Sequence, residues 1–261
     1  MNMNRITRLF GKNKQDLLSV FTTAGYPRLD STGETLRALS DAGIDMVEVG
    51  VPFSDPMADG PVIQESSSVA LREGMTLAML LQQVKEVRPQ LRDDMPLVLM
   101  GYLNPMMQYG IERLFRDCKE AGIDAIIVPD LPFDEYLSVF QKLCREHDLP
   151  MIMLITPETE EERIRLIDRE CDGFIYMVSA ASTTGTRDSF DDAQARYFRD
   201  IAGMRLKHPR MIGFGISNPA TLRMACDHAS GAIVGSLFIK CLAAEPSPRA
   251  AVARLLSTLG R

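Results

Sequence analysis

The chain has 261 residues, of which 46% are hydrophobic and 25% charged, with a net charge of −6, enough apolar material for one sizeable α/β core. An acidic chain without a basic cluster excludes nucleic acid and anionic membrane as natural partners. Five dispersed cysteines without a CxxC, an N-terminus with no apolar signal, and no apolar run near the roughly 18 residues of a membrane span imply a cytoplasmic protein with reduced thiols.

Taken in order, the chain predicts a short helix near 4–10 and then a first strand, Leu17 to Phe21, ended by the turn Thr22–Pro27. Ser31-Thr32-Gly33-Glu34 reads as a capping box for a helix to about Ala42, stopped by Gly43. The second strand, Met46 to Gly50, leads into a proline-rich loop and two helices, near 62–73 and 76–88. Leu97–Met100 is the third strand and runs into a 101–105 loop. A helix near 111–121 leads to strand four, Ala125–Val128. A helix at about 134–146 precedes strand five, Met151–Ile155. Thr159 to Glu162 reads as a second capping box, for a helix to about Glu170. Strand six is 173–178, and a helix near 191–207 separates it from strand seven, 211–215. Asn218-Pro219 is an N-cap followed by proline at the first helical position. Strand eight is Gly231–Val234, Gly235-Ser236 opens a helix directly, and a last helix lies near 247–259.

Eight short apolar strands alternating with helices predict a single-domain (β/α)8 barrel, residues 1–261, with an extra N-terminal helix and long loops after strands two and six. A doubly wound sheet is the competing fold, but no Gly-rich fingerprint follows the first strand. Active sites of such barrels lie at the C-terminal strand ends, where both long loops also begin.

Met46–Pro61 carries the clearest chemistry. Glu48 is the lone polar residue of an apolar strand, and a carboxylate there needs partners or a raised pKa. Pro52, Pro56 and Pro61 stiffen the loop that holds Asp55 and Asp59. Two readings are open. Either the acids perform acid–base chemistry, or Glu48 is ion-paired to a barrel Arg or Lys and the aspartates cap turns. Gly213-Phe214-Gly215 and Gly235-Ser236, on neighbouring strands, suit a phosphate, with tight turns as the alternative. Phe21, Tyr102 and Tyr176 are aromatic candidates for lining a flat substrate, or for the core; Tyr176 needs a buried partner, for which Glu48 is a candidate. The polar stretch 180–188 reads as a lid or as a plain solvent loop. His147, His208 and His228 read as surface residues on or beside helices, and no metal site is expected.

The run Glu48-Val49-Gly50-Val51-Pro52-Phe53-Ser54-Asp55-Pro56-Met57-Ala58-Asp59-Gly60-Pro61 resembles the signature of the tryptophan synthase alpha chain family. The likeness extends to Phe21–Gly25, Asp130-Leu131-Pro132, Gly213–Ser217 and Gly235-Ser236. It implies a lyase that cleaves indole-3-glycerol phosphate to indole and glyceraldehyde 3-phosphate by a retro-aldol step. By motif position Glu48 would be the acid–base, Asp59 would stabilise the indolenine nitrogen, and Tyr176 would be the active-site tyrosine. Thr184 of the lid would bond Asp59 on closure. Gly185, Gly213, Gly215, Gly235 and Ser236 would hold phosphate, and Phe21, Tyr102, Ile127 and Phe214 would line the indole pocket. The resemblance also implies no cofactor in this chain and a pyridoxal-phosphate beta chain as partner in an α2β2 assembly. Pro52, Asp55, Pro56, Asn104, Asp130 and Pro132 would form the contact. A weakly active subunit serving mainly to activate the beta chain is the alternative; a sugar-phosphate epimerase would need metal-ligand histidines at strand ends. One departure is the lid, where Ser179-Ala180-Ala181-Ser182-Thr183-Thr184-Gly185 replaces the family's usual Ser-Arg-x-Gly-Val-Thr-Gly.

Overall fold

In a computed structural model that describes residues 3–12, 14–179 and 190–261, eight parallel strands close into a barrel in sequence order. They are β1 (Leu17–Thr23), β2 (Met46–Gly50), β3 (Leu97–Met100), β4 (Ala125–Ile127), β5 (Met151–Ile155), β6 (Ile175–Val178), β7 (Arg210–Gly213) and β8 (Gly231–Val234), with β8 paired back onto β1. The expected (β/α)8 architecture is therefore present. Helix α1 (Arg5–Gly11) precedes the barrel and is capped by the Asn4 side chain, which accepts from the Ile6 amide at 2.8 Å. Helices α2 (Thr32–Asp41), α3 (Pro61–Arg72), α4 (Leu77–Val87), α5 (Leu103–Tyr109) and α6 (Ile111–Ala121) follow. After β4 come α7 (Phe133–Glu135), a π turn over Tyr136–Phe140, and α8 (Gln141–His147). The rest are α9 (Glu161–Glu170), α10 (Asp192–Gly203), α11 (Pro219–His228), α12 (Ser236–Ala244) and α13 (Pro248–Thr258). Among the described residues no helix is long and apolar enough to cross a membrane.

The strand register decides which side chains enter the barrel. Paired residues of parallel strands project to the same side, and alternate residues along one strand to opposite sides. Phe21 pairs with Glu48, Glu48 with Val98, Gly50 with Met100, and Met100 with Ile127. Onward, Ile127 pairs with Ile152, Leu154 with Tyr176, Tyr176 with Met211, Gly213 with Ile233, and Ile233 with Ser19. The circuit closes without a parity break, so Ser19, Phe21, Glu48, Ile127, Tyr176 and Gly213 all share the inner face. Most of that interior is a packed apolar core, with Leu17, Val98, Ile127, Ile152 and Met211 all at or near zero exposure. Against it, the polar Ser19, Glu48 and Tyr176 are exceptions that require an explanation.

Several local expectations are corrected. Ser31 does not cap α2; its hydroxyl donates to the Arg28 carbonyl at 2.6 Å and closes the preceding turn, while Glu34 reaches Arg28. Thr159 likewise serves its own turn, accepting from the Thr156 amide, and α9 begins after Glu160 with no side-chain cap. The 101–105 segment is not all loop: α5 starts at Leu103, with Pro105 in its first turn, where no amide donor is needed. Asn218 caps α11 as expected, in a reciprocal pair with Thr221. None of the histidines is a freely exposed surface residue. His208 is buried with its ring on Asp168 at 3.1 Å, and His147 and His228 are half-buried.

Candidate active site

Glu48 stands on β2 with zero exposure, facing the barrel interior. Its Oε1 accepts from the Ser19 hydroxyl at 3.1 Å, and its Oε2 has no partner among the described residues. Among the described residues no Arg, Lys or His lies within ion-pair distance, so the structural ion pair that the sequence left open is not formed. The expected Tyr176 bond to Glu48 is also absent; Ser19 takes that place. Burial without a cation pushes the Glu48 carboxyl up to about 8, opposed only by the Ser19 hydrogen bond. At neutral pH this side chain is mostly a carboxylic acid, because ionising it at pH 7 would cost about 1.4 kcal/mol in that environment.

Asp59 lies on the loop after β2 and is 7% exposed. The loop path is held from three directions. Tyr102 donates to Asp59 Oδ2 at 2.9 Å and accepts from the Ala58 amide at 3.0 Å, while Gln64 donates to the Asp59 carbonyl at 2.8 Å. Phe53 stacks on the Tyr102 ring at 5.1 Å. Tyr102 was expected as a lining residue; its hydroxyl also tethers the acid. Burial raises Asp59 to about 6, with the Tyr102 bond pulling the other way. The two acids thus differ in their resting state near neutrality, one protonated and one largely ionised, an arrangement that suits a proton donor beside an electrostatic stabiliser. Tyr176 is held well above an ordinary phenol by burial first and by the charges of Glu48 and Asp59 after it, and stays neutral.

At the mouth of β7 the backbone turns sharply. A Cβ on Gly213 would collide with the Tyr176 ring, so only glycine lets that ring lie across β7. Phe214 and Gly215 follow with φ of 68° and 77°, and the Ser179 hydroxyl donates to the Phe214 carbonyl at 2.8 Å to hold the bend. Phe214 meets Tyr176 edge-on at 6.3 Å. Gly235 precedes α12, whose first residue is Ser236 and whose N-terminus has no side-chain cap. Phe21 packs beside Gly235, within 3.6 Å of a Cβ placed there, and Ile127 is fully buried on the inner face. Glu48, Asp59, Tyr176, Phe21, Tyr102, Ile127, Gly213, Phe214, Gly215, Gly235 and Ser236 therefore all belong to the C-terminal half of the barrel. Thr184 and Gly185 lie outside the described residues.

On the rim, Asp55, Asn104, Asp130 and Pro132 are exposed, whereas Pro52 and Pro56 are buried and hold the loop from within. Asp130 accepts from the Leu103 amide at 2.9 Å, tying the loop after β4 to the start of α5. Met57 is 89% exposed and Met107 59%, both on segments that leave this face.

The profile of the tryptophan synthase alpha chain family matches residues 8–260. The chain belongs to the tryptophan synthase alpha chain family. It is 55% identical over 257 residues to the alpha chain of Parabacteroides distasonis, covering 98% of this chain and 99% of that one. It is 52% identical over 257 residues to the Bacteroides fragilis alpha chain, with 98% and 97% covered. Among solved structures it resembles the alpha subunit from Legionella pneumophila (TM-score 0.88, 33% identity, 99% and 97% covered) and a Mycobacterium tuberculosis tryptophan synthase (TM-score 0.87, 30% identity, 99% and 97% covered). As a tryptophan synthase alpha chain it is a carbon–carbon lyase that carries the alpha reaction, cleaving indole-3-glycerol phosphate to indole and glyceraldehyde 3-phosphate. Two features of this alpha chain went unread in the sequence. Ser19 bonds the acid, and its parity with Phe21 was the available signal. Gln64, in the first turn of α3, holds the backbone of Asp59.

Proposed function

We propose that in this alpha reaction Glu48 is the proton carrier and Asp59 the charge stabiliser. The observation that carries the reading is the uncompensated burial of Glu48, which holds a proton near neutrality on an oxygen with no other partner. Glu48 gives its proton to C3 of the indole, making an indolenine whose ring is an electron sink. The carboxylate so formed takes the proton from the side-chain hydroxyl. As the aldehyde forms, the carbon–carbon bond breaks and its electrons restore the indole. Ionised Asp59, fixed by Tyr102, faces the developing positive nitrogen. Tyr176, neutral, lines the space above Glu48.

Gly213, Gly215, Gly235 and Ser236, with Gly185, receive the phosphate, supported by the uncapped start of α12. Phe21, Tyr102, Ile127 and Phe214 flank the indole. The chain acts as one barrel domain, needs no cofactor of its own, and works in the cytoplasm with a pyridoxal-phosphate beta chain that receives the indole. The exposed Asp55, Asn104, Asp130 and Pro132, flanked by Met57 and Met107, support a docking face there, with Pro52 and Pro56 as its internal frame. No observation favours a subunit that merely activates its partner. The test is turnover of indole-3-glycerol phosphate with and without a beta chain. Cleavage by the chain alone, accelerated by the beta chain, is expected; no cleavage in either case contradicts the reading.

A further inference from the structure

Ser19 is a hydroxyl at zero exposure on the inner face of β1, in a strand otherwise apolar up to Phe21. Its register partners are Met46 of β2 and Ile233 of β8, neither of which offers a hydrogen bond to a side chain. Among the described residues the single hydrogen bond its side chain makes is the one to Glu48 Oε1, at 3.1 Å. A buried serine with an apolar neighbour on each side costs stability unless its hydroxyl is used. In this barrel it is used on the acid, and on one oxygen of it.

We propose that Ser19 is the positioning residue of the alpha reaction in this chain: by donating to Glu48 Oε1 it makes that oxygen the acceptor and leaves the acidic proton on Oε2. The inference rests on the reading of Glu48 as proton carrier and adds to it which oxygen reacts and what orients it. A neutral carboxyl has one proton and two oxygens. When one oxygen already accepts a hydrogen bond, the proton resides on the other. Oε2 has no partner among the described residues, so it is the oxygen free to meet a substrate atom. Among the described residues the Ser19 hydroxyl bonds no other group, so it acts through Glu48. It also stabilises the carboxylate that forms after the first transfer, and so eases proton loss. The groups facing Glu48 from the packed elements are Ser19 and Phe21 of β1, Val98 of β3 and Tyr176 of β6, with Asp59 acting on Tyr176 from the loop; the only titratable ones are Tyr176, which stays neutral, and Asp59.

The test is Ser19→Ala in the full chain, assayed with a beta chain present, beside Glu48→Gln. The alanine variant should lose about tenfold in kcat with KM changed less than twofold. The basic limb of its kcat/KM profile should move upward by about half a unit to one unit, the weight of one hydrogen bond to a charged group. A readout independent of turnover is the infrared carboxyl stretch assigned to Glu48 by its loss in Glu48→Gln. It should shift to higher frequency in Ser19→Ala, as a carbonyl oxygen relieved of a donor does, and its titration midpoint should rise. An unmoved stretch and midpoint overturn the proposal, even if kcat falls. If Glu48→Gln keeps turnover while the stretch still responds to Ser19, the proton-carrier reading fails and the contact itself stands. Ser19→Cys, which restores a weak donor of similar size, should recover part of the shift; a variant indistinguishable from alanine in both readouts also counts against it.

Discussion

The two ends of this barrel treat buried carboxylates in opposite ways. At the N-terminal end Asp124 accepts from the Leu97 amide at 2.9 Å and pairs with Arg5 at 3.1 Å. Asp45 accepts from the Leu18 amide and from Lys14. Half-buried Asp168 takes the Lys207 and His208 amides, both at 2.9 Å, and faces the His208 ring. Each joins two segments through a backbone donor and a cationic or basic side chain. At the C-terminal end Glu48 and Asp59 have one hydroxyl donor each and no cation among the described residues. Burial raises Asp168 too, but its amides and His208 bring it below the ordinary range; at Asp124 burial still prevails, opposed by the Leu97 amide, Arg5 and Arg88, whereas at Glu48 the Ser19 hydroxyl alone opposes it. The lesson is that burial alone does not mark a working acid. What marks it is burial with the compensation left out, which costs stability and leaves the proton available.

The largest expected effect is that of Glu48→Gln. Turnover should fall by about a thousandfold or more, since an amide neither gives nor takes the required proton. Its stability should move the other way. A carboxyl whose folded pKa lies above its unfolded value costs nothing below pH 4.5, and its penalty grows as pH climbs to about 8. Chemical denaturation of the two proteins should therefore agree near pH 4.5 and diverge in favour of the variant by about 3 kcal/mol towards neutrality. A constant difference across that range would mean that Glu48 is compensated after all, as the acids of the other end are.

Asp124→Asn sharpens the contrast from the opposite side. It should cost about 1 kcal/mol of stability, because Arg5 and the Leu97 amide lose a charged acceptor, while relief of the buried charge offsets part of that loss. Turnover should stay within about twofold, a loss too small to reflect any transition-state contact. A melting temperature equal to wild type, or a large loss of kcat, would erase the division of labour between the ends.

Tyr102→Phe is the smallest change and probes the rim acid. The Tyr102 donor lowers Asp59, so its removal should raise Asp59 further above about 6. The acidic limb of kcat/KM should move up by about half a unit. Turnover at pH 6 should then fall about twofold, with little change at pH 8. A profile whose acidic limb stays put would show that Asp59 is not the group titrating there.

Much of this was legible in the sequence because the barrel is written in short-range signals. Short apolar runs alternate with helices, and Asn218-Pro219 announces its helix unaided. Glu48 was visible because a lone carboxylate in an apolar strand must be either paired or at work. What it touches was not visible. Ser19 sits 29 residues away, and only the closed register brings the two together. Ser31 and Thr159 misled because a hydroxyl at a helix start has two local uses, capping the helix or closing the turn before it, and here the turns won. Tyr102 reads as an aromatic wall in one dimension; its hydroxyl becomes a tether once the loop folds back over it. The same closure turned Pro52 and Pro56 inward, away from the rim where the sequence put them.

The central claim is that Glu48 holds its proton at neutral pH because burial is left uncompensated. Titration of the free protein by infrared difference, with the Glu48 carboxyl band identified by its loss in Glu48→Gln, tests it without substrate or partner. The account predicts that the band persists through pH 7 and disappears with a midpoint near 8. A Glu48 already ionised at pH 6 would contradict it.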